Sequence, residues 1–118
     1  MYPESAMNHE ITVQELHALQ QRGVAENSRK LCLVDIREPW EVEAASLPDS
    51  LVIPMGEFPS RAHQELDPEA HIIVYCHNGR RSLGVTLWLR EEGFPYSQSL
   101  AGGIEVWAQA IDPSVPRY

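Results

Sequence analysis

Apolar positions along this chain alternate between helical and extended spacing. Thr12 and Glu15 form a capping-box pair, and Leu16 and Leu19 follow on one helical face that is predicted to end near Gly23. Residues 31–36 (Leu-Cys-Leu-Val-Asp-Ile) are nearly continuously apolar, the pattern of a strand covered on both faces. Pro39 suits the first turn of a short helix reaching about Ala45. A short strand is predicted over 51–53, a helix over 57–66 despite Pro59, and a turn at Asp67-Pro68. The run 72–75 reads as a strand. Ser82 then opens a helical pattern over 83–92, which Gly93 caps and Phe94-Pro95 breaks. A last strand is predicted over 97–100, a tight turn at Gly102-Gly103, a final helix over 104–110 and an irregular tail over 111–118.

Strands of this kind separated by helices predict an α/β fold, a parallel β-sheet flanked by helices on both faces. At 118 residues the expectation is a single domain with its core over about 11–110. Ligands of such sheets bind beyond the carboxyl ends of the strands. Two strands end in polar chemistry at that edge, in Asp35-Ile36-Arg37 and in Cys76 and the residues after it.

Residues 72–82, Ile-Ile-Val-Tyr-Cys-His-Asn-Gly-Arg-Arg-Ser, carry the densest chemistry. A strand delivers one cysteine to a short turn that feeds a helix N-terminus, an arrangement for making a thiolate and holding an anion. An ordinary thiol is only about 3% ionised at pH 7, and lowering its pKa by ~2 units requires ~2.7 kcal/mol of added stabilisation of the anion. A helix dipole supplies ~0.3–2 kcal/mol. Backbone N–H groups of residues 77–82, or the charges of Arg80 and Arg81, must provide the remainder. Gly79 fits a loop that turns its amides inward, because it has no Cβ to obstruct them.

Charge sharpens this picture. The net charge is −8, which argues against nucleic acid or an anionic membrane as partner. Eight of the nine cations are arginines, and two of those sit together in the cysteine loop, where an acidic protein has use for them in binding a small anion. No apolar stretch approaches the ~20 residues of a membrane span. The first ten residues lack the basic and apolar regions of a signal peptide. Two cysteines make no disulfide framework, so a reducing cytoplasm is the expected setting.

The chain resembles the single-domain rhodanese (sulfurtransferase) family from about Ile11 to Trp107. The matching stretches are Leu-Val-Asp-Ile-Arg-Glu-Pro-Trp-Glu at 33–41, Ile-Pro-Met at 53–55, Val-Tyr-Cys-His-Asn-Gly-Arg-Arg-Ser at 74–82, Gly-Phe at 93–94 and Leu-Ala-Gly-Gly-Ile-Glu-Val-Trp at 100–107. The resemblance implies that Cys76 accepts a sulfane sulfur as a persulfide and hands it to a second nucleophile. It implies a substrate cradle of His77, Asn78, Gly79, Arg80, Arg81 and Ser82, with Asp35 ordering the active-site side of the sheet and Arg37 near its rim. Asp35 as N-cap of the next helix, and Arg37 paired with Glu41, are the structural alternatives. Phosphatases on the same fold have a cysteine-to-arginine loop one residue longer. The six residues from Cys76 to Arg81 match the sulfurtransferase length. The resemblance departs at 45–50, where the family reads Gly-His-Ile-Pro-Gly-Ala and this chain keeps only Pro48.

Other chemistries rank lower. Cys76 and His77 are adjacent, so their side chains diverge and make a poor hydrolase dyad. They have no second ligand pair at zinc spacing, and neither a metal nor a cofactor is expected. Gly102-Gly103 lacks the third glycine of a dinucleotide fingerprint. Cys32, ~10 Å down the sheet from the level expected for Cys76 and so outside the ~7 Å reach of a disulfide, reads as a structural thiol ahead of a resolving one. Trp40, Trp88 and Trp107 read as packing anchors, with Trp40 an alternative lining for the pocket mouth. The expected partners are a small sulfur donor and acceptor (thiosulfate, cyanide or thiols) and a sulfur-relay protein. A non-enzymatic sulfur carrier or interaction module, and a phosphatase, are the alternative functions.

Overall fold

The computed structural model describes residues 7–22 and 29–118. Five parallel strands form one sheet: β1 (Glu10–Ile11), β2 (Leu31–Asp35), β3 (Leu51–Val52), β4 (His71–Tyr75) and β5 (Ser97–Leu100), in the order β1-β5-β4-β2-β3. Between them run α1 (Val13–Arg22), α2 (Pro39–Ala44), α3 (Phe58–Glu65) and α4 (Arg80–Glu91), and α5 (Gly103–Ala110) follows β5.

The sheet has a core on each face because alternate residues of its central strands point opposite ways. Ile73 and Tyr75 of β4 join Leu16 of α1 and Trp107 of α5 on one side. Ile72, Val74 and Cys76 join Phe58 of α3 and Leu89 of α4 on the other. β4, in the middle of the sheet, is buried throughout and carries the chain to Cys76 at the carboxyl edge.

The capping box is present at α1: Thr12 N–H donates to Glu15 Oε1 at 2.9 Å and Glu15 N–H to Thr12 Oγ1 at 3.1 Å. Gly23, the predicted end of that helix, lies outside the described residues. One expectation needs correction, and one element is new. The helix after the cysteine begins at Arg80, two residues before Ser82, because Gly79 at φ +95° turns the chain directly into it. β1, which sequence periodicity did not reveal, is two residues long and pairs along β5.

The divergent stretch 45–50 keeps a tight turn. Asp49 takes the left-handed φ of +62° at the position where the resembled motif has its second glycine, and Asp tolerates that region better than most side chains. Ser50 Oγ donates to Leu47 O at 2.8 Å and lies 2.7 Å from the Tyr75 hydroxyl, which also accepts from Leu47 N–H at 3.2 Å. Burial pushes the Tyr75 phenol up to about 12, so it stays protonated as the hub of this turn.

Candidate active site

Strand β4 ends one residue before Cys76, whose side chain is fully buried. The next residues curl around its sulfur. Gly79 N–H reaches Sγ at 3.2 Å and Ser82 N–H at 3.4 Å, while Sγ lies 3.5 Å from Ser82 Oγ. Ser82 Oγ is in turn 2.7 Å from Ser99 Oγ on β5. Two amides and a hydroxyl therefore converge on one sulfur at the start of α4, where the helix dipole also favours negative charge.

The loop turns its amides inward because its carbonyls have partners outside. Cys76 O accepts from Ile104 N–H and His77 O from Glu105 N–H, both at 3.0 Å, so the first turn of α5 holds the back of the loop. This contact explains the second glycine of the pair 102–103. A Cβ on Gly103 would stand 2.5 Å from both Cys76 O and His77 O, and its φ of +62° already disfavours a side chain. Gly79 is similarly confined, with a Cβ there 3.1 Å from Gly102 N.

Two ion pairs stand beside the loop. Asp35 binds the Arg37 guanidinium through both carboxylate oxygens, at 2.8 Å to Nε and 2.6 Å to Nη2. Arg37 also donates to Glu41 O, Ala45 O and the Tyr118 hydroxyl. Burial opposes its charge, but the bonds to Asp35 and Tyr118 hold the guanidinium ionised. Glu41 takes Arg81 in a fork, with both N–O distances 3.0 Å, and accepts from Glu38 N–H and Tyr118 Oη–H. The Arg81 bonds lead in lowering the Glu41 carboxyl to about 2, against the effect of its burial.

A depression of about 400 Å3 lies over the loop, lined by Trp40, Glu41, His77, Asn78, Arg80, Arg81 and Tyr118. A wider one of about 590 Å3 opens elsewhere, between α1, α5 and Leu47–Asp49, and contains no residue of the cysteine loop. No three metal-ligating side chains converge among the described residues. No helix among those residues is long and apolar enough to cross a membrane.

The Rhodanese-like domain model matches residues 12–110. The chain belongs to the rhodanese-like family. A sulfurtransferase of Allochromatium vinosum is 34% identical over 83 residues, covering 70% of this chain and 77% of that protein. A chloroplastic rhodanese-like/PpiC domain-containing protein of Arabidopsis thaliana is 38% identical over 112 residues, but this chain covers only 37% of its length. The human single-domain sulfurtransferase TSTD1 has the same fold, with a TM-score of 0.72 at 23% identity over 87% of this chain and 97% of that one.

Within this rhodanese-like fold, the residues singled out from sequence separate into three groups. Cys76, Gly79 and Ser82 meet at the sulfur. His77, Asn78, Arg80 and Arg81 line the depression outside it. Asp35 and Arg37 are buried at the sheet edge, so Arg37 is a strut beneath the site and not a rim residue. Asp35 does not cap the following helix: Glu38 does, and Asp35 Oδ1 instead accepts from Arg37 N–H. Arg37 meets Glu41 only through that residue's carbonyl. Arg81 is tied to Glu41, leaving Arg80 the cation at the mouth without a carboxylate partner among the described residues. Trp40 is 66% exposed and lines the mouth, the alternative that its sequence position offered beside packing.

Two contributors escaped the sequence reading, and Glu41 entered it only as a partner for Arg37 and not for Arg81. Glu41 had a visible signal, an acidic residue three positions after Glu38 in a helix start, but that signal speaks of capping and not of Arg81. Ser99 and Tyr118 lie far along the chain from the cysteine loop, where no local pattern could connect them.

Proposed function

We propose that this rhodanese-like chain is a sulfurtransferase that carries a sulfane sulfur on Cys76. The observation behind the reading is the pair of inward N–H groups at 3.2 and 3.4 Å from a strand-end sulfur. Such donors stabilise a thiolate, and equally a persulfide anion, without metal or base. The thiolate attacks the outer sulfur of a donor such as thiosulfate. An S–S bond to Cys76 forms, the donor's own S–S bond breaks, and sulfite leaves with the electron pair. A thiophilic acceptor such as cyanide or a thiolate then takes the outer sulfur and returns the Cys76 thiolate to its cradle. Ser82 Oγ accepts from the thiol and can turn to donate to the anion, with Ser99 Oγ supplying the compensating hydrogen bond.

Arg80 is the group suited to meet the donor's anionic end, with Asn78 and His77 beside it, while Arg81 acts mainly through Glu41. The six-residue loop supports sulfur transfer over phosphoryl transfer, since the longer phosphatase loop surrounds a larger tetrahedral group. The chain acts as a single domain with its core over about residues 11–110, in a reducing compartment such as the cytoplasm. A protein partner of sulfur-relay type fits as well, because a relative 33% identical over 92 residues is named a putative sulfur carrier protein.

Incubation with thiosulfate tests the reading by intact mass. The chain is expected to gain about 32 Da per sulfur, reversibly with cyanide, in the wild type and in Cys32→Ser but not in Cys76→Ser. Labelling that survives Cys76→Ser would overturn it.

A further inference from the structure

The segment after α5 has no regular structure, yet it returns to the cysteine loop. Val115 is buried against the α1/α5 core, and Arg117 pairs with Glu105, the residue whose N–H holds His77 O. These two anchors bring Tyr118 to the mouth. Its ring meets His77 edge-on at 4.5 Å between centroids and Trp40 at 5.8 Å. Its hydroxyl accepts from Arg37 Nη1 at 2.9 Å and donates to Glu41 Oε2 at 2.9 Å. Guanidinium only donates and carboxylate only accepts, so one phenol satisfies both and joins the Asp35–Arg37 pair to the Glu41–Arg81 pair.

The sulfur of Cys76 is fully buried, so a reagent must come through the surface that covers the loop. Four residues of that loop line the depression, and Tyr118 lines it with them. A second, apolar depression of about 210 Å3, at Met55, Phe58 and Trp88, shares only Arg81 with the loop.

We propose that Tyr118 is a specificity-determining and positioning residue, its ring restricting approach to Cys76 to slender nucleophiles and its hydroxyl fixing Arg81 through Glu41. The size restriction concerns access and stands on geometry alone; its extension to sulfur acceptors rests on the sulfurtransferase reading. Cyanide and small thiols pass the ring, whereas a peptide-sized thiol requires the tail to swing away.

Access is measured first without sulfur transfer. Alkylation of Cys76 in the full chain is followed by peptide mass, with iodoacetamide as the small reagent and fluorescein maleimide as the bulky one. Tyr118→Ala is expected to raise the bulky-to-small rate ratio about tenfold, and Tyr118→Phe to leave it within about twofold of the wild type. Tyr118→Leu, which trims the wall but keeps apolar bulk, serves the same comparison if the Ala variant does not fold. An unchanged ratio in the trimmed variant overturns the wall and points to entry beside Met55 and Trp88.

Transfer is measured second, from thiosulfate to cyanide and to glutathione. In Tyr118→Ala the preference for cyanide, as a ratio of kcat/KM values, is expected to fall. In Tyr118→Phe that preference is kept while KM for thiosulfate rises, because Arg81 loses part of its support; an unchanged KM overturns the positioning role. If the wild type takes up no sulfur while the alkylation ratio still shifts, the sulfurtransferase reading fails and the access wall stands.

Discussion

Cys32 lies on β2 and Cys76 just past the end of the neighbouring β4, and among the described residues only Cys76 has N–H donors on its sulfur. Register pairs Cys32 with Ile72, four residues below Cys76 along β4, or about 13 Å at ~3.3 Å per residue. That exceeds the ~7 Å Cα separation a disulfide tolerates. Burial pushes the Cys32 thiol up, against the opposing charge of Lys30, and so disfavours its thiolate. The single residue that most constrains the Cys76 loop is instead Gly103. An added methyl there must displace two carbonyls, those of Cys76 and His77, that lie 2.5 Å from where it would sit. Gly103→Ala is expected to cost about 2–4 kcal/mol of stability, from left-handed strain plus the clash. Because those carbonyls back the sulfur cradle, kcat/KM for sulfur transfer is expected to fall in the same variant. Denaturant unfolding and thiosulfate–cyanide kinetics on one preparation check both, and a fully stable variant would show that α5 does not brace the loop.

At the level of elements, the site is the meeting of the β2 end, α2 and the first turn of α4, joined by charge. Glu41 supplies the joint between α2 and Arg81. Its carboxyl sits at about 2 against an ordinary 4.5, so the folded state prefers it ionised. Its contribution to stability is therefore complete above about pH 4.5 and is lost as pH falls through about 2. Glu41→Gln is expected to be less stable than the wild type at neutral pH, with the gap narrowing steadily from about pH 4.5 to about pH 2. Guanidinium midpoints across that range measure it; a gap constant with pH would mean the Arg81 pair is not its source. The sequence made most of these elements legible, since the run 97–100 is β5 to the residue and the Thr12–Glu15 box opens α1. Periodicity failed where tertiary contact decided the outcome. Arg80 and Arg81 read as loop ahead of Ser82, but Gly79 turns the chain so that both arginines enter α4. Arg37 reads as a residue near the rim or as a partner of Glu41, yet it is buried because Asp35, two carbonyls and a phenol 81 positions away together satisfy it.

On the scale of the whole molecule, the net charge of −8 works against an anionic donor while the mouth attracts it. The two effects differ in range, which makes them separable. Repulsion from carboxylates spread over the surface acts across distances at which salt screens strongly, with a Debye length of ~30 Å at 0.01 M and ~8 Å at 0.15 M. Attraction to Arg80 acts at contact, where little electrolyte intervenes. Arg81 adds little to the net field because Glu41 neutralises it at 3.0 Å. Arg80→Ala is expected to raise KM for thiosulfate about tenfold, or ~1.4 kcal/mol, as for the loss of one charge-assisted contact. In that variant only the repulsion remains, so raising salt from ~0.01 M to ~0.15 M is expected to lower its KM. The wild type, in which Arg80 still draws the donor in, is expected to show a smaller decrease or a rise. Steady-state kinetics at the two ionic strengths, run on both proteins, decide the point. A KM that rises with salt in Arg80→Ala would mean another cation governs the approach and that the negative surface does not set the long-range field.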